Sequence, residues 1–189
     1  MSRSRSLRAL AALVAAGSIA AACTEQVPPP TTPPRRGTVV RLASGGAITE
    51  AVISRSGRYV AYVSTASTPG TDANAGATDV FVIDRQTSTT HRVSGGNGAS
   101  DSPSVADDGS VVFRSASTDL AGPDLHGHVD VFRWVPAGTV TRLTYSPGDV
   151  TAPLVSADGS TVTFGAPLEL TTPGGGTVTT AYRWLVAAP

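Results

Sequence analysis

The stretch Ile53-Ser54-Arg55-Ser56-Gly57-Arg58-Tyr59-Val60-Ala61-Tyr62 decides how this chain folds, because the chain repeats it. It returns as Val105-Ala106-Asp107-Asp108-Gly109-Ser110-Val111-Val112-Phe113 and again as Val155-Ser156-Ala157-Asp158-Gly159-Ser160-Thr161-Val162-Thr163-Phe164. Phe113 follows Tyr62, and Phe164 follows Phe113, by 51 residues each time. Strand-like content at a fixed period of roughly 40–50 residues is the pattern of a β-propeller blade array. Each copy holds a Ser-Gly or Asp-Gly pair between β-branched and aromatic runs. Such a pair marks a hairpin, since glycine supplies the positive φ that the turn needs. Within the second strand of the hairpin, Val60 and Tyr62, or Val162 and Phe164, share one face by the period of two.

Outward from the hairpins, two more strand types recur in order. Asp79–Ile83 has counterparts in Asp130–Trp134 and Thr180–Trp184, and Thr89–Ser94 has one in Gly138–Thr144. An additional copy of this fourth strand stands ahead of everything else as Gly37–Ala43, while none follows Trp184. Pro103 and Pro153 introduce first strands, a position where a missing N–H is tolerable. No helical period survives among these short runs, so the expected class is all-β. The architecture is about three four-stranded antiparallel blades, in units of about 38–94, 95–144 and 145–187. Three blades are few for a closed propeller, which usually has four to eight or so. The array therefore reads as an open arc, as half of a six-blade ring made by two chains, or as part of a longer propeller.

Residues 1–23 do not belong to this domain. Arg3, Arg5 and Arg8 precede an apolar run from Ala9 to Ala22 that closes on Ala20-Ala21-Ala22-Cys23. A basic start, an apolar segment and small residues form a secretory signal. The run is shorter than the roughly 18–20 residues of a membrane-spanning helix. Cys23 is the only cysteine, which excludes an intramolecular disulfide and leaves a free or modified thiol. Residues 24–37 carry five prolines; they read as a stiff, disordered tether of about 3.1 Å per residue.

All 14 acidic residues lie after Cys23 and three of the 14 arginines lie before it, with lysine absent, so the remainder carries a charge of 11 − 14 = −3. No basic stripe appears, which argues against nucleic acid as a partner.

Loops after the second strands are long: Thr65–Thr78, Ala116–His128 and Ala166–Thr179. Long loops on a rigid scaffold commonly carry function, so this face is the expected binding face. Asp72, Asn74 and Asp79 in the first, and Asp124, His126 and Asp130 in the second, are weak candidates for a calcium site, since carboxylate and amide oxygens suit a hard cation. Asp and Asn also cap turns, and that is the plainer reading. His126 and His128 make a weak zinc pair, and His91 stands apart from them. Arg41, Arg92 and Arg142 recur at one fourth-strand position, either as an anion-binding row or as outer-edge arginines that cover apolar surface and pair with carboxylates. Trp134 and Trp184 recur as well, as core or as a sugar platform. No Gly-x-Ser-x-Gly and no phosphate-cradling loop occurs; the expectation is no enzyme and no cofactor.

Two resemblances follow from these residues. The Ala20–Cys23 stretch resembles a bacterial lipobox, with Ala20 where Leu is usual, and implies lipidation of Cys23 and an extracytoplasmic, membrane-anchored location. The combination of the hairpin repeat, the long loop, Asp-Val-Phe and Thr-x-Arg-Val/Leu resembles WD40-like or TolB-like propeller repeats (the PD40 group) of actinobacterial lipoproteins, over residues 38–186. That resemblance implies a non-catalytic scaffold binding a protein or peptide at the cell envelope, with homodimerisation open. The alternative is an extracellular ligand or carbohydrate sensor on the long-loop face, with or without calcium.

Overall fold

The computed structural model describes residues 37, 39–67, 69–122, 124, 127–168 and 178–185, with Leu168 and 178–185 described by backbone alone. The chain divides into two units, Met1–Val39 and Val40–Pro189. Every strand among the described residues lies in the second. The expected signal segment, Cys23 and residues 24–36 of the expected tether fall outside the described residues.

Three antiparallel sheets follow one another along the chain. The first contains β1 (Ile48–Ile53), β2 (Tyr59–Ser64), β3 (Asp79–Asp84) and β4 (Thr89–Arg92), in that spatial order. The second repeats it with β5 (Ser100–Val105), β6 (Val111–Ser115), β7 (Asp130–Trp134) and β8 (Val140–Arg142). The third, among the described residues, has β9 (Leu154–Val155), β10 (Thr161–Leu168) and β11 (Val178–Leu185). These are the expected blades, and no helix occurs among the described residues.

Register repeats with the sequence. Tyr62 stands opposite Phe81, Phe113 opposite Phe132 and Phe164 opposite Tyr182. The first two pairs stack, with ring centroids 5.2 and 5.9 Å apart. The second and third sheets thus turn an aromatic face toward the sheet before them, and the first turns a small aliphatic face toward the second. Ala61, Val63, Val80, Val82 and Val93 pack against Val105, Val111, Phe113, Phe132 and Trp134. Val112, Val131, Leu143 and Val150 pack against Val162 and Ala166, with Phe164 alongside. Burying each of the valine, leucine and phenylalanine side chains among these contributes about 1.5–3 kcal/mol, so the stacking of sheets holds the array together.

The hairpins have one form. Gly57, Gly109 and Gly159 N–H donate to the carbonyls of Ser54, Ala106 and Ser156 at 2.9, 3.1 and 2.9 Å. Each glycine has positive φ while its preceding residue does not. This is a type I turn closed by a left-handed glycine, rather than a two-residue loop.

Four expectations need correction. The described part of Gly37–Ala43 is not a strand; instead Ala43 packs beside Tyr62, Ala66, Phe81 and Ile83 on the outer face of the first sheet. Its Val40 and Leu42 remain 67% and 45% exposed, so it gains no ladder partner. Pro103 sits inside β5, where the register shifts between Asp101 and Ser104 and Ser102 has a φ of 52°; a bulge accommodates the missing donor. The third long loop is shorter than its composition suggests, because Ala166, Pro167 and Leu168 pair with Thr180, Thr179 and Val178. The fourth strands are also shorter, ending at Arg92 and Arg142.

Candidate functional site

The polar residues of the long loops meet a buried guanidinium in each of the first two sheets. Asp79 opens β3 and Arg92 closes β4, so antiparallel pairing of β3 with β4 brings them to the same end of the sheet. Arg92 Nη1 lies 2.9 Å from Asp79 Oδ2 and 4.0 Å from Asp72 Oδ1, with the Arg92 side chain 3% exposed. It also donates to the carbonyls of Thr71 at 2.9 Å and Ala66 at 2.7 Å, and its guanidinium lies 5.2 Å from the Phe81 ring centroid. Asn74 Nδ2 and Ser94 Oγ each donate to Asp79 Oδ1 at 3.1 Å. Burial pushes the Asp79 carboxyl above its ordinary value, and Arg92, Ser94 and Asn74 pull against that shift without cancelling it.

The second sheet repeats the arrangement more loosely. Arg142 Nη1 is 3.3 Å from Asp124 Oδ1 and 3.5 Å from Asp130 Oδ2, and the side chain is 1% exposed. Thr144 stands where Ser94 does, donating to Asp130 Oδ1 at 2.6 Å and accepting from Val131 N–H at 2.9 Å. Arg142 is flanked by the rings of Phe132 and Tyr145. Neither Nη of Arg142 makes a well-aligned hydrogen bond, so attraction at slightly longer range replaces the close contacts of Arg92.

These distances settle what the candidate residues touch. Asp72, Asn74 and Asp79 come together around Arg92; Asp124 and Asp130 come together around Arg142; His126 lies outside the described residues. A guanidinium faces the oxygens that the calcium reading offered to a cation. Among the described residues no three His, Cys, Asp or Glu side chains converge as a metal site. Turn-capping also holds, since Asp72 Oδ1 accepts from Asn74 N–H at 3.2 Å and Asp124 Oδ1 from Gly127 N–H at 3.3 Å. Arg92 and Arg142 do pair with carboxylates, but as buried clamps between loop and sheet rather than at an exposed edge. Arg41 stands in no strand and shares nothing with them. His128 lies 3.5 Å from Asp149, and His91 packs on Trp134 with ring centroids 5.6 Å apart. Trp134 belongs to the core between the first two sheets; the Trp184 side chain lies outside the description.

The opposite end of the sheets, where the hairpins turn, is tied sheet to sheet. Ser56 N–H donates to Asp107 Oδ1 at 2.6 Å, Asp107 N–H to the Ala157 carbonyl at 2.8 Å, and Val155 N–H to Ser104 Oγ at 3.1 Å. Donor and acceptor stand about one repeat apart in each. Sequence reading missed these links, although the recurrence of Ser and Asp at the turns is their signal.

One apolar face lacks such cover. Ile53 pairs with Val60, and Val105 with Val111, so the two occupy the same place in successive sheets. Val105 is 8% exposed beneath the first sheet, whereas Ile53 is 61% exposed. All six residues of β1 are exposed.

No family model matches the sequence, and no curated protein matches it. Among solved structures, the chain is similar to TolB from Acinetobacter baumannii, at 21% identity and a TM-score of 0.47 over 76% of this chain and 31% of that one. It is also similar to a putative TolB from Agrobacterium tumefaciens, at 17% identity and a TM-score of 0.49 over 78% of this chain and 61% of that one. Hydrazine synthase from Kuenenia stuttgartiensis matches at 12% identity and a TM-score of 0.52, over 75% of this chain and 24% of that one. This chain therefore spans under two thirds of each, and the likeness to the last is one of fold.

Proposed function

We propose that this chain is a non-catalytic binding scaffold, exported and held at the cell envelope by a lipid on Cys23, which engages a protein partner through the outer face of its first sheet. The observation that carries this reading is the contrast between Ile53 and Val105. Identical places in the repeat differ by the presence of a neighbouring sheet, and an uncovered apolar strand edge invites pairing. A protein surface supplies both the apolar cover and the backbone partners that β1 lacks. The acids of the long loops support the same choice, because Arg92 and Arg142 engage them and leave fewer ligands for a sensor on that face. A second copy of the chain is one such partner, since its own sheets are built to stack.

The test places a photo-crosslinking residue at position 53 in cells and, as control, at exposed Ala137 in the turn after β7. A discrete adduct at position 53 that is absent at 137 supports the reading. An adduct of twice the chain mass identifies the partner as a second copy. The same adducts at both positions, or none at 53, would remove it. Loss of fatty-acid labelling on Cys23→Ser checks the anchor separately.

A further inference from the structure

The fourth-strand sequence occurs three times in register, as Thr38-Val39-Val40-Arg41-Leu42-Ala43, Thr89-Thr90-His91-Arg92-Val93-Ser94 and Thr139-Val140-Thr141-Arg142-Leu143-Thr144. The last two copies supply β4 and β8, which pair with β3 and β7. There Val93 and Leu143 are buried, and their N–H groups donate to the carbonyls of Val80 at 2.9 Å and Val131 at 2.8 Å. The first copy has the residues without those surroundings. Leu42, at the same place, is 45% exposed, Arg41 is exposed, and the described part of the segment joins no ladder.

The third sheet offers the missing surroundings. Among the described residues its order is β11-β10-β9, so β11 is an edge at the place where β4 and β8 cover β3 and β7. It runs for eight residues and is paired along its whole length with β10. An edge of that length is a template for another strand. The register carries over from the other sheets. Phe81 stands opposite Arg92 and Phe132 opposite Arg142; Tyr182 holds the place of these phenylalanines, opposite Phe164. A fourth strand on β11 therefore sets Arg41 opposite Tyr182 and Val40 opposite Arg183, with the Leu42 N–H on the Ala181 carbonyl.

The chain's own copy cannot reach that edge. Ala43 packs beside Tyr62, Ala66 and Phe81 on the outer face of the first sheet, and Ala47 is tied to Thr65 by bonds of 3.2 and 3.1 Å. The second sheet stands between the first and the third. Stacked sheets lie about 10 Å apart, so β11 is roughly 20 Å away on the far side. From Ala43 to Arg41 the chain spans at most about 7 Å.

We propose that residues 39–42 of a second copy of this chain add to the outer edge of β11 as its fourth strand, antiparallel, with Arg41 opposite Tyr182. Main-chain hydrogen bonds give strand addition its affinity, and two copies that donate to each other close the assembly. These bonds lie along the edge of β11, so the proposal does not rest on a partner for the outer face of the first sheet.

The test co-expresses two differently tagged full-length chains, one with Val40→Cys and the other with Arg183→Cys, and oxidises them. Opposite residues of an antiparallel pair lie about 4.5–5.5 Å apart at Cα, within the reach of a disulfide. A disulfide-linked product carrying both tags is expected. Adding Leu42→Pro, which removes the bonding N–H, is expected to abolish it with the far-ultraviolet circular dichroism unchanged, since Leu42 joins no ladder in the single chain; Leu42→Ala is expected to retain it. Absence of the two-tag product overturns the proposal. So does an equal yield when Ala137→Cys replaces Arg183→Cys, survival of the product in Leu42→Pro, or, with both cysteines in one chain, a disulfide closed within the monomer. A photo-adduct at position 53 without the 40–183 disulfide would remove this proposal and leave the outer-face reading in place.

Discussion

At the scale of single residues, the hairpin turns carry the most exposed consequences. Asp158 accepts from Ser156 Oγ, from Ser160 N–H at 3.0 Å and from Ser160 Oγ at 2.9 Å. These bonds hold its carboxyl down at about 2, against an ordinary 3.8. Ser56 lowers Asp107 in the same way, Arg58 lowers Asp84 strongly, and Asn97 with Ser117 lowers Asp119. For each, the unfolded chain takes up a proton before the folded one does. Stability from these groups is therefore complete above the ordinary carboxylate value and is lost as pH falls through the lowered ones. Asp79 has the opposite sign, so it cannot compensate as an additional stabilising carboxylate at neutral pH. Melting temperature is expected to drop between about pH 4 and pH 2, and Asp158→Asn is expected to make that drop shallower. At Gly109 the demand is steric as well as conformational: φ is 84° and a Cβ would meet the Tyr59 ring. Gly109→Ala is expected to cost about 1–3 kcal/mol in chemical denaturation.

At the scale of elements, the sheets succeed because every strand has one aromatic-side and one small-side face. Phe113 is fully buried between the first two sheets. Phe113→Ala is expected to lower stability by about 3–5 kcal/mol, read from urea midpoints. These faces were legible in the sequence: a period of 51 residues, alternation within Tyr59–Ser64 and glycine-closed turns together placed the strands and paired Tyr62 with its counterparts. What escaped was anything that depends on sheets meeting across space. Gly37–Ala43 has the composition of a fourth strand, yet nothing local reports whether a ladder partner lies beside it. Asp72, Asn74 and Asp79 read as cation ligands because the arginine that neutralises them stands thirteen or more positions away.

At the scale of the whole array, the repeat has a direction. Toward its successor, the first sheet presents Ala61, Val63, Val80 and Val82; the second presents Val112, Arg114, Val131 and Arg133 at the same register places. Arg114 there needs Asp101, at 2.7 and 2.9 Å, and the Val150 carbonyl to be accommodated. In the third sheet the corresponding β10 positions are Thr163 and Gly165, of which Thr163 is exposed. Among the described positions, apolar character thus declines from the first sheet to the last. The aromatic face does not decline in step, since Tyr62 with Phe81 matches Phe113 with Phe132. A chain carrying a duplicate of residues 48–94 inserted ahead of Ile48 is expected to melt higher than the parent and to shield Ile53 from solvent labelling. The same duplicate appended after β11 is expected to do neither.

Grown from that end, the three sheets behave like a stack of nested cups: the hollow of the first is shaped to receive another, while the described part of the last one's base, Thr163 and Gly165, offers little apolar surface. Lengthening of such a lineage by gene duplication would then be channelled to its amino-terminal side, and recombination there would recruit whatever neighbour carries a small aliphatic underside.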